Sequence, residues 1–190
     1  MPITKISREE ILRRAWRLFH RHGYNDTSLQ MVATATGLGK AGLLHHFGSK
    51  RGLMEAVIDF ARDWYAEHVL NPLRESLPLE DQLRTFLNAH VQLCQLDRRG
   101  CFFANTILET GADHLFSTQL VQFTAQWQSA VANRLSERFP GEEARERAYR
   151  LFIEYEGSVV LYKMLGDVSH LERFVERAIS GLHHPLNPAQ

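Results

Sequence analysis

The chain holds two cysteines, Cys94 and Cys101, in 190 residues. That is too few for a disulfide framework, so free thiols and a cytosolic location are expected. No run of about 18 apolar residues occurs, so no helix is expected to span a membrane. The opening MPITKISREE lacks the apolar core of a secretory signal. No stretch alternates like a strand, no repeat or low-complexity segment is visible, and the formal net charge is zero. A nucleophile elbow, a phosphate-cradling glycine loop and an HExxH pattern are all missing, so no enzyme and no cofactor are expected. His90 and Cys94 stand four apart, a spacing that can hold zinc, but two ligands do not make a site, and no metal is expected.

The charge is unevenly distributed. Residues 1–50 carry eight Lys/Arg against three acids, and the remainder carries 14 basic and 19 acidic residues. A basic head on an acidic body suits a module that meets phosphates joined to one that does not.

The periodicity is helical almost throughout, so an all-α fold is expected. Ser7 and Glu10 form the pattern of a capping box. The helix they open has Ile11, Leu12, Ala15, Leu18 and Phe19 on one face and Arg13, Arg17 and Arg21 on another, and it stops at Gly23. Thr27 and Gln30 repeat the capping pattern for a helix to about Thr36, and Gly37 makes the turn. A short helix covers Lys40 to Phe47, and Ser49 caps a long one that Asn71-Pro72 closes. Five further helices are expected: Pro78 to Leu96, Cys101 to Thr110, His114 to Phe139, Glu142 to Leu165 and Ser169 to Leu182. Asp97 to Gly100 is read as a loop and the tail as frayed.

Thr27–Thr36 and Lys40–Phe47 have the anatomy of a helix-turn-helix, in which the first helix crosses the DNA backbone and the second enters the major groove. Ala33 permits close crossing, and Val32, Leu38, Leu43 and Phe47 can form the wedge beneath. Lys40 could donate to guanine and Ala41 could touch a thymine methyl. Lys50, at the start of the fourth helix, could neutralise a phosphate. Lys5 and Arg8 are read either as a loose arm near the backbone or as solvated side chains.

The string ILRRAWRLFHRHGYNDTSLQMVATATGLGKAGLLHHFGSKRGLMEAV resembles the DNA-binding domain of TetR-family transcriptional repressors. The shared positions are Gly23-Tyr24, Thr27-Ser28, Val32-Ala33, Gly37-Leu38, His46-Phe47, Ser49-Lys50 and Leu53. The resemblance implies phosphate contacts from Thr27, Ser28, His46 and Lys50 and base-edge contacts from Lys40, Ala41, Gly42 and His45. Three positions depart from the family pattern: Gly39 replaces a serine cap, Gly42 a Thr or Ser, and Leu44 a tyrosine.

The resemblance further implies a DNA-binding domain over 1–50 and a helical effector-binding and dimerisation domain over 51–190. It implies a homodimer through the last two long helices, with Gly157, Val160, Leu161 and Met164 on one and Leu171, Phe174, Val175, Ala178 and Leu182 on the other. Filling of the protomer core is the alternative for these residues. Phe60, Trp64, Phe86, His90, Cys94, Phe103, Asn105, Glu109, Trp127 and Tyr155 combine aromatic walls with polar groups, as ligand pockets and cores both do. Glu109 and Glu154 each need a partner if buried, such as a cationic ligand or a nearby Arg, and could equally be exposed.

Cys101 at a helix start, after Arg98 and Arg99, could be a thiolate sensor or a small buried apolar residue. The expected function is therefore a homodimeric repressor on a near-palindromic operator, released by a small molecule. A regulator without an effector and a thiol-based sensor are the alternatives.

Overall fold

Ser7 starts the first helix by accepting the Glu10 N–H at 3.1 Å. The Glu10 carboxylate turns away to Arg13 (2.6 Å) and Arg14 (2.7 Å). A computed structural model describes residues 6–95 and 99–186, and every regular element among them is helical. In chain order these are α1 (Arg8–Asp26), α2 (Leu29–Thr36), α3 (Lys40–Phe47), α4 (Lys50–His68), α5 (Leu79–Gln95), α6 (Phe102–Thr110), α7 (Ser117–Leu135), α8 (Gly141–Leu165) and α9 (Ser169–Ser180). Short 3₁₀ turns cover Asn71–Arg74, Gly111–Asp113 and Gly181–His183. Leu96, Asp97, Arg98, the expected arm residue Lys5 and the last four residues of the tail lie outside the described residues.

The all-α expectation holds. One cap moves: α2 is capped by Ser28, whose hydroxyl accepts the Met31 N–H at 3.2 Å. Thr27 is fully buried, and its hydroxyl donates to the Gly23 carbonyl at 2.7 Å.

The chain divides into two compact units. One is the head, up to Trp64 together with Phe102–Val121, and the other is Tyr65–Cys101 together with the chain from Gln122. The expected cut after residue 50 differs from this, because α6 and most of α4 belong with the head. The head's core is built from Ile11, Leu12, Ala15 and Phe19 of α1, Val32 and Ala33 of α2, Leu43 of α3, and Leu53, Met54, Val57, Ile58 and Ala61 of α4. Phe102 and Phe103 of α6 are buried in the same unit.

In the second unit α9 lies against α8 and α5. Leu171, Phe174, Val175, Ala178 and Leu182 are all buried inside this unit. This corrects their expected place in a dimer interface. A residue already enclosed by its own protomer has no apolar surface left for a partner.

Glu109, expected near a ligand, instead clasps the end of α1. Its two carboxylate oxygens accept the N–H groups of Tyr24 (2.8 Å) and Asn25 (2.7 Å). The backbone turns there at Gly23, with φ 81° and ψ 173°, a region open essentially to glycine alone. A methyl at Gly23 would sit 2.7 Å from Glu109 Oε2. Lys50 holds the same turn by donating to the Asn25 carbonyl at 2.9 Å, with its Nζ 4.6 Å from the Tyr24 ring centre. Phe116 meets that ring edge-on at 5.0 Å. Gly23→Ala is expected to lower stability by about 1–3 kcal/mol from the backbone alone. Urea denaturation with an unchanged midpoint would show that the turn is not strained for other residues.

Candidate nucleic-acid interface

Gly37 ends α2 in the left-handed conformation, and Gly39 opens α3 without a side-chain cap. The Thr36 hydroxyl donates to the Val32 carbonyl at 2.7 Å, and Arg14 ties α1 to α2 through the Ala35 carbonyl at 2.8 Å. Of the expected wedge, Val32 and Leu43 are buried and Leu38 and Phe47 are half-buried. Beyond α3 the chain reverses tightly. The Gly48 N–H reaches the Leu44 carbonyl at 2.8 Å, and the Ser49 hydroxyl caps α4 through the Gly52 N–H at 3.0 Å. A methyl on Gly52 would collide with the Phe47 carbonyl, so this position requires glycine for a close backbone approach. Its role was not visible in the sequence pattern.

Of the residues expected to meet DNA, Ser28, Lys40, Ala41, His45 and His46 are exposed, and Gly42 and Lys50 are half-buried. Leu44 is exposed beside them. Thr27 is removed from the set by its burial, since a hydroxyl turned into the helix backbone cannot reach a phosphate. Arg8 stacks its guanidinium 5.4 Å from the Phe47 ring centre rather than forming a loose arm.

The residues expected around a ligand fall into both units. Phe60, Trp64, Phe103, Asn105 and Glu109 belong to the head. Phe60 and Trp64 meet the edge of Trp16, as does Phe102, at 5.5–6.1 Å. The buried Trp16 indole N–H has no acceptor among the described residues. Sequence reasoning did not single out Trp16, although it sits on the expected first helix.

Phe86, His90, Cys94, Trp127 and Tyr155 belong to the second unit and are buried. Their polar atoms satisfy one another. His90 Nδ1 lies 3.3 Å from the Phe86 carbonyl, and the Trp127 N–H donates to His90 Nε2 at 2.8 Å. Nδ1 therefore carries the proton and both ring nitrogens are used, leaving none for a metal. Cys94 Sγ lies 3.0 Å from the Tyr155 hydroxyl. Burial pushes the Cys94 thiol up to about 11 and the His90 imidazole down to about 3. No group of three metal-binding side chains occurs among the described residues.

Cys101 is buried and hydrogen-bonded to Glu156, whose carboxyl burial pushes up to about 7 against the pull of Cys101 and Lys163. Glu154 is exposed, 3.6 Å from Arg177. A cavity of about 160 Å³ in this unit is lined by Leu135, Arg147, Leu151, Glu154, Arg177 and Leu182 among others. Glu154 and Leu182 apart, these were not among the residues singled out from the sequence.

One surface of α8 is apolar and uncovered in the protomer. Tyr149, Ile153, Val160, Leu161 and Met164 are exposed, the last at 73%. Gly157 lies among them with open space where a side chain would stand. Tyr149 and Ile153 extend the expected stripe toward the start of the helix.

A family model of bacterial regulatory proteins, tetR family, matches residues 11–57. A second, the C-terminal domain of LmrA/YxaF-like transcriptional regulators, matches residues 81–177. The chain is 28% identical over 175 residues to an HTH-type transcriptional regulator in the lacX 3′ region of Lactococcus lactis subsp. lactis, covering 87% of this chain and 88% of that one. It is 27% identical over 181 residues to the HTH-type transcriptional repressor ComR of Escherichia coli, covering 93% and 78%. The crystal structure of a TetR transcriptional regulator from Legionella pneumophila has the same fold, with TM-score 0.84, 23% identity and coverage of 95% and 99%.

His90 and Glu156 make opposite contributions to stability as pH changes. Folded His90 stays neutral to about 3 against an ordinary 6.5, so its contribution is complete above 6.5 and is lost as pH falls toward 3. Folded Glu156 keeps its proton to about 7 against an ordinary 4.5, so its contribution is complete below 4.5 and is lost as pH rises to 7. Between 4.5 and 6.5 the two oppose. Glu156→Gln should expose the histidine slope, up to ~1.4 kcal/mol lost per unit of acidification. Parallel stability–pH curves for the two proteins would refute the assignment.

Proposed function

The chain belongs to the TetR family of bacterial regulatory proteins, and we propose that it acts as a homodimeric transcriptional repressor, released from a near-palindromic operator by a small molecule. The observation that carries the reading is the outward face of α3, where Lys40, Ala41, Leu44, His45 and His46 stand exposed on a helix seated by Leu43. In a helix-turn-helix this face enters the major groove. Lys40, Ala41, Gly42 and His45 meet base edges, while Ser28, His46 and Lys50 meet phosphates, with the free N–H groups at the start of α4 adding to the last. Repression follows the relatives named as repressors, ComR of Escherichia coli and AcnR of Corynebacterium glutamicum.

The exposed stripe on α8 supports the dimer. Two such helices pair through Tyr149, Ile153, Val160, Leu161 and Met164, and Gly157 lets them approach closely. Two heads then enter successive major grooves about 34 Å apart. The unpaired indole N–H of Trp16, beside Phe60 and Trp64, supports a ligand that brings an acceptor to an aromatic surface. A ligand that favours the wrong spacing of the heads needs a coupling of only about 1–3 kcal/mol to release the operator.

Selection of bound duplexes from a random library at ~0.15 M salt should enrich a two-fold symmetric site. Failure to enrich any site would sink the repressor reading. Met164→Glu places a charge in the α8 stripe and should give a monomer in sedimentation equilibrium. Operator affinity should then fall toward the non-specific level, a loss on the order of 10³ or more. A dimer that survives this change does not use α8.

A further inference from the structure

We propose that this regulator reads thymine methyl groups through Leu44 and Ala41, so that its operator half-site carries a thymine set close to a guanine. The inference rests on the DNA-binding reading of α3 and deepens it. The whole of α3 is KAGLLHHF. It contains no Asn or Gln to pair with adenine, and no Asp or Glu to accept from cytosine. Its exposed donors are Lys40 and the two histidines. Lys40 is suited to guanine O6 and N7. What remains on the outward face is apolar.

Ala41 and Leu44 are three apart, hence neighbours on one side of the helix. Leu44 is 39% exposed even though Leu43, next to it, is almost fully buried. The core therefore takes one leucine of the pair and leaves the other outside. The only apolar group on the major-groove edge of a base pair is the C5-methyl of thymine. From Lys40 to Leu44 the helix advances about 6 Å. That places the thymine about two base-pair steps from the guanine.

The test uses the full chain and the site it selects. Each thymine of that site is replaced in turn by uracil, which removes the methyl and leaves every hydrogen-bonding group in place. Dissociation constants are measured at fixed salt. At one or two positions per half-site, affinity should fall about fourfold per methyl. Leu44→Ala, a change at an exposed position, should become indifferent to uracil at one of those positions, keep any preference that Ala41 supplies at the other, and retain the salt dependence of the original. A selected site that is indifferent to uracil everywhere, or a Leu44→Ala protein that keeps the original thymine preference at every position, would overturn the methyl-reading inference and leave the repressor reading standing. If no site is selected at all, the repressor reading itself fails, and this inference falls with it.

Discussion

A helix of eight residues does not hold itself in water, and the DNA-reading end is built around that constraint. Helix α3 has one buried side chain, Leu43, no side-chain cap at its start, and a glycine at its centre. Its position comes from its neighbours. The head core encloses Leu43, the Thr36 hydroxyl braces the turn before it, and Gly52 lets α4 close in on the Phe47 carbonyl behind it. Because the neighbours supply the stability, the other side chains of α3 are free to face outward. A longer helix with its own apolar stripe would have buried several of them.

The same logic places the clasp on the other side of the head. Near its end α1 passes at Gly23 through a conformation that only glycine tolerates, and the N–H groups that follow it need acceptors. Glu109 supplies two oxygens, and Lys50 takes the carbonyl of Asn25. A residue 84 positions away in sequence thus fixes the entry to the reading unit. A carboxylate in a helix bundle needs a partner if it is buried, but nothing local indicates that the partner of Glu109 is backbone. The helix starts were easier to read, since a cap lies within three residues of its acceptor. Even so, adjacent Thr27 and Ser28 could both cap α2, and what separates them is burial. Thr27 turns inward to the Gly23 carbonyl and leaves the cap to Ser28.

The second unit shows why an aromatic and polar composition does not by itself mark a pocket. His90, Trp127, Cys94 and Tyr155 have the residue types of a binding site, but their polar atoms pair among themselves. A buried network of this kind specifies one packing of the helices when every member is satisfied. Sequence spacing brings His90 and Cys94 to one face of α5. It cannot show that the atoms which complete them come from α7 and α8. Trp16 is the reverse case: an ordinary core residue by pattern, with an N–H that the fold leaves unpaired.

The two last helices looked alike as candidates for an interface, and geometry separates them. A helix with a single apolar stripe can satisfy one partner, whereas a helix that is apolar on two opposite sides needs two. On α9 the apolar residues Leu171, Phe174, Val175 and Ala178 form one stripe, and the protomer buries it, leaving Glu172, Arg173, Glu176 and Arg177 outside. On α8 the buried set Ala148, Tyr155, Val159 and Tyr162 is matched on the far side by Tyr149, Ile153, Val160 and Met164. The first set is covered by its own chain. The second amounts to an apolar surface spread over four turns of helix, more than a soluble chain leaves uncovered without a use. Both stripes are present in the α8 sequence, at spacings of three, four and seven, and counting them helix by helix gives α9 one apolar side, which its own chain covers, and α8 two, of which its own chain covers one.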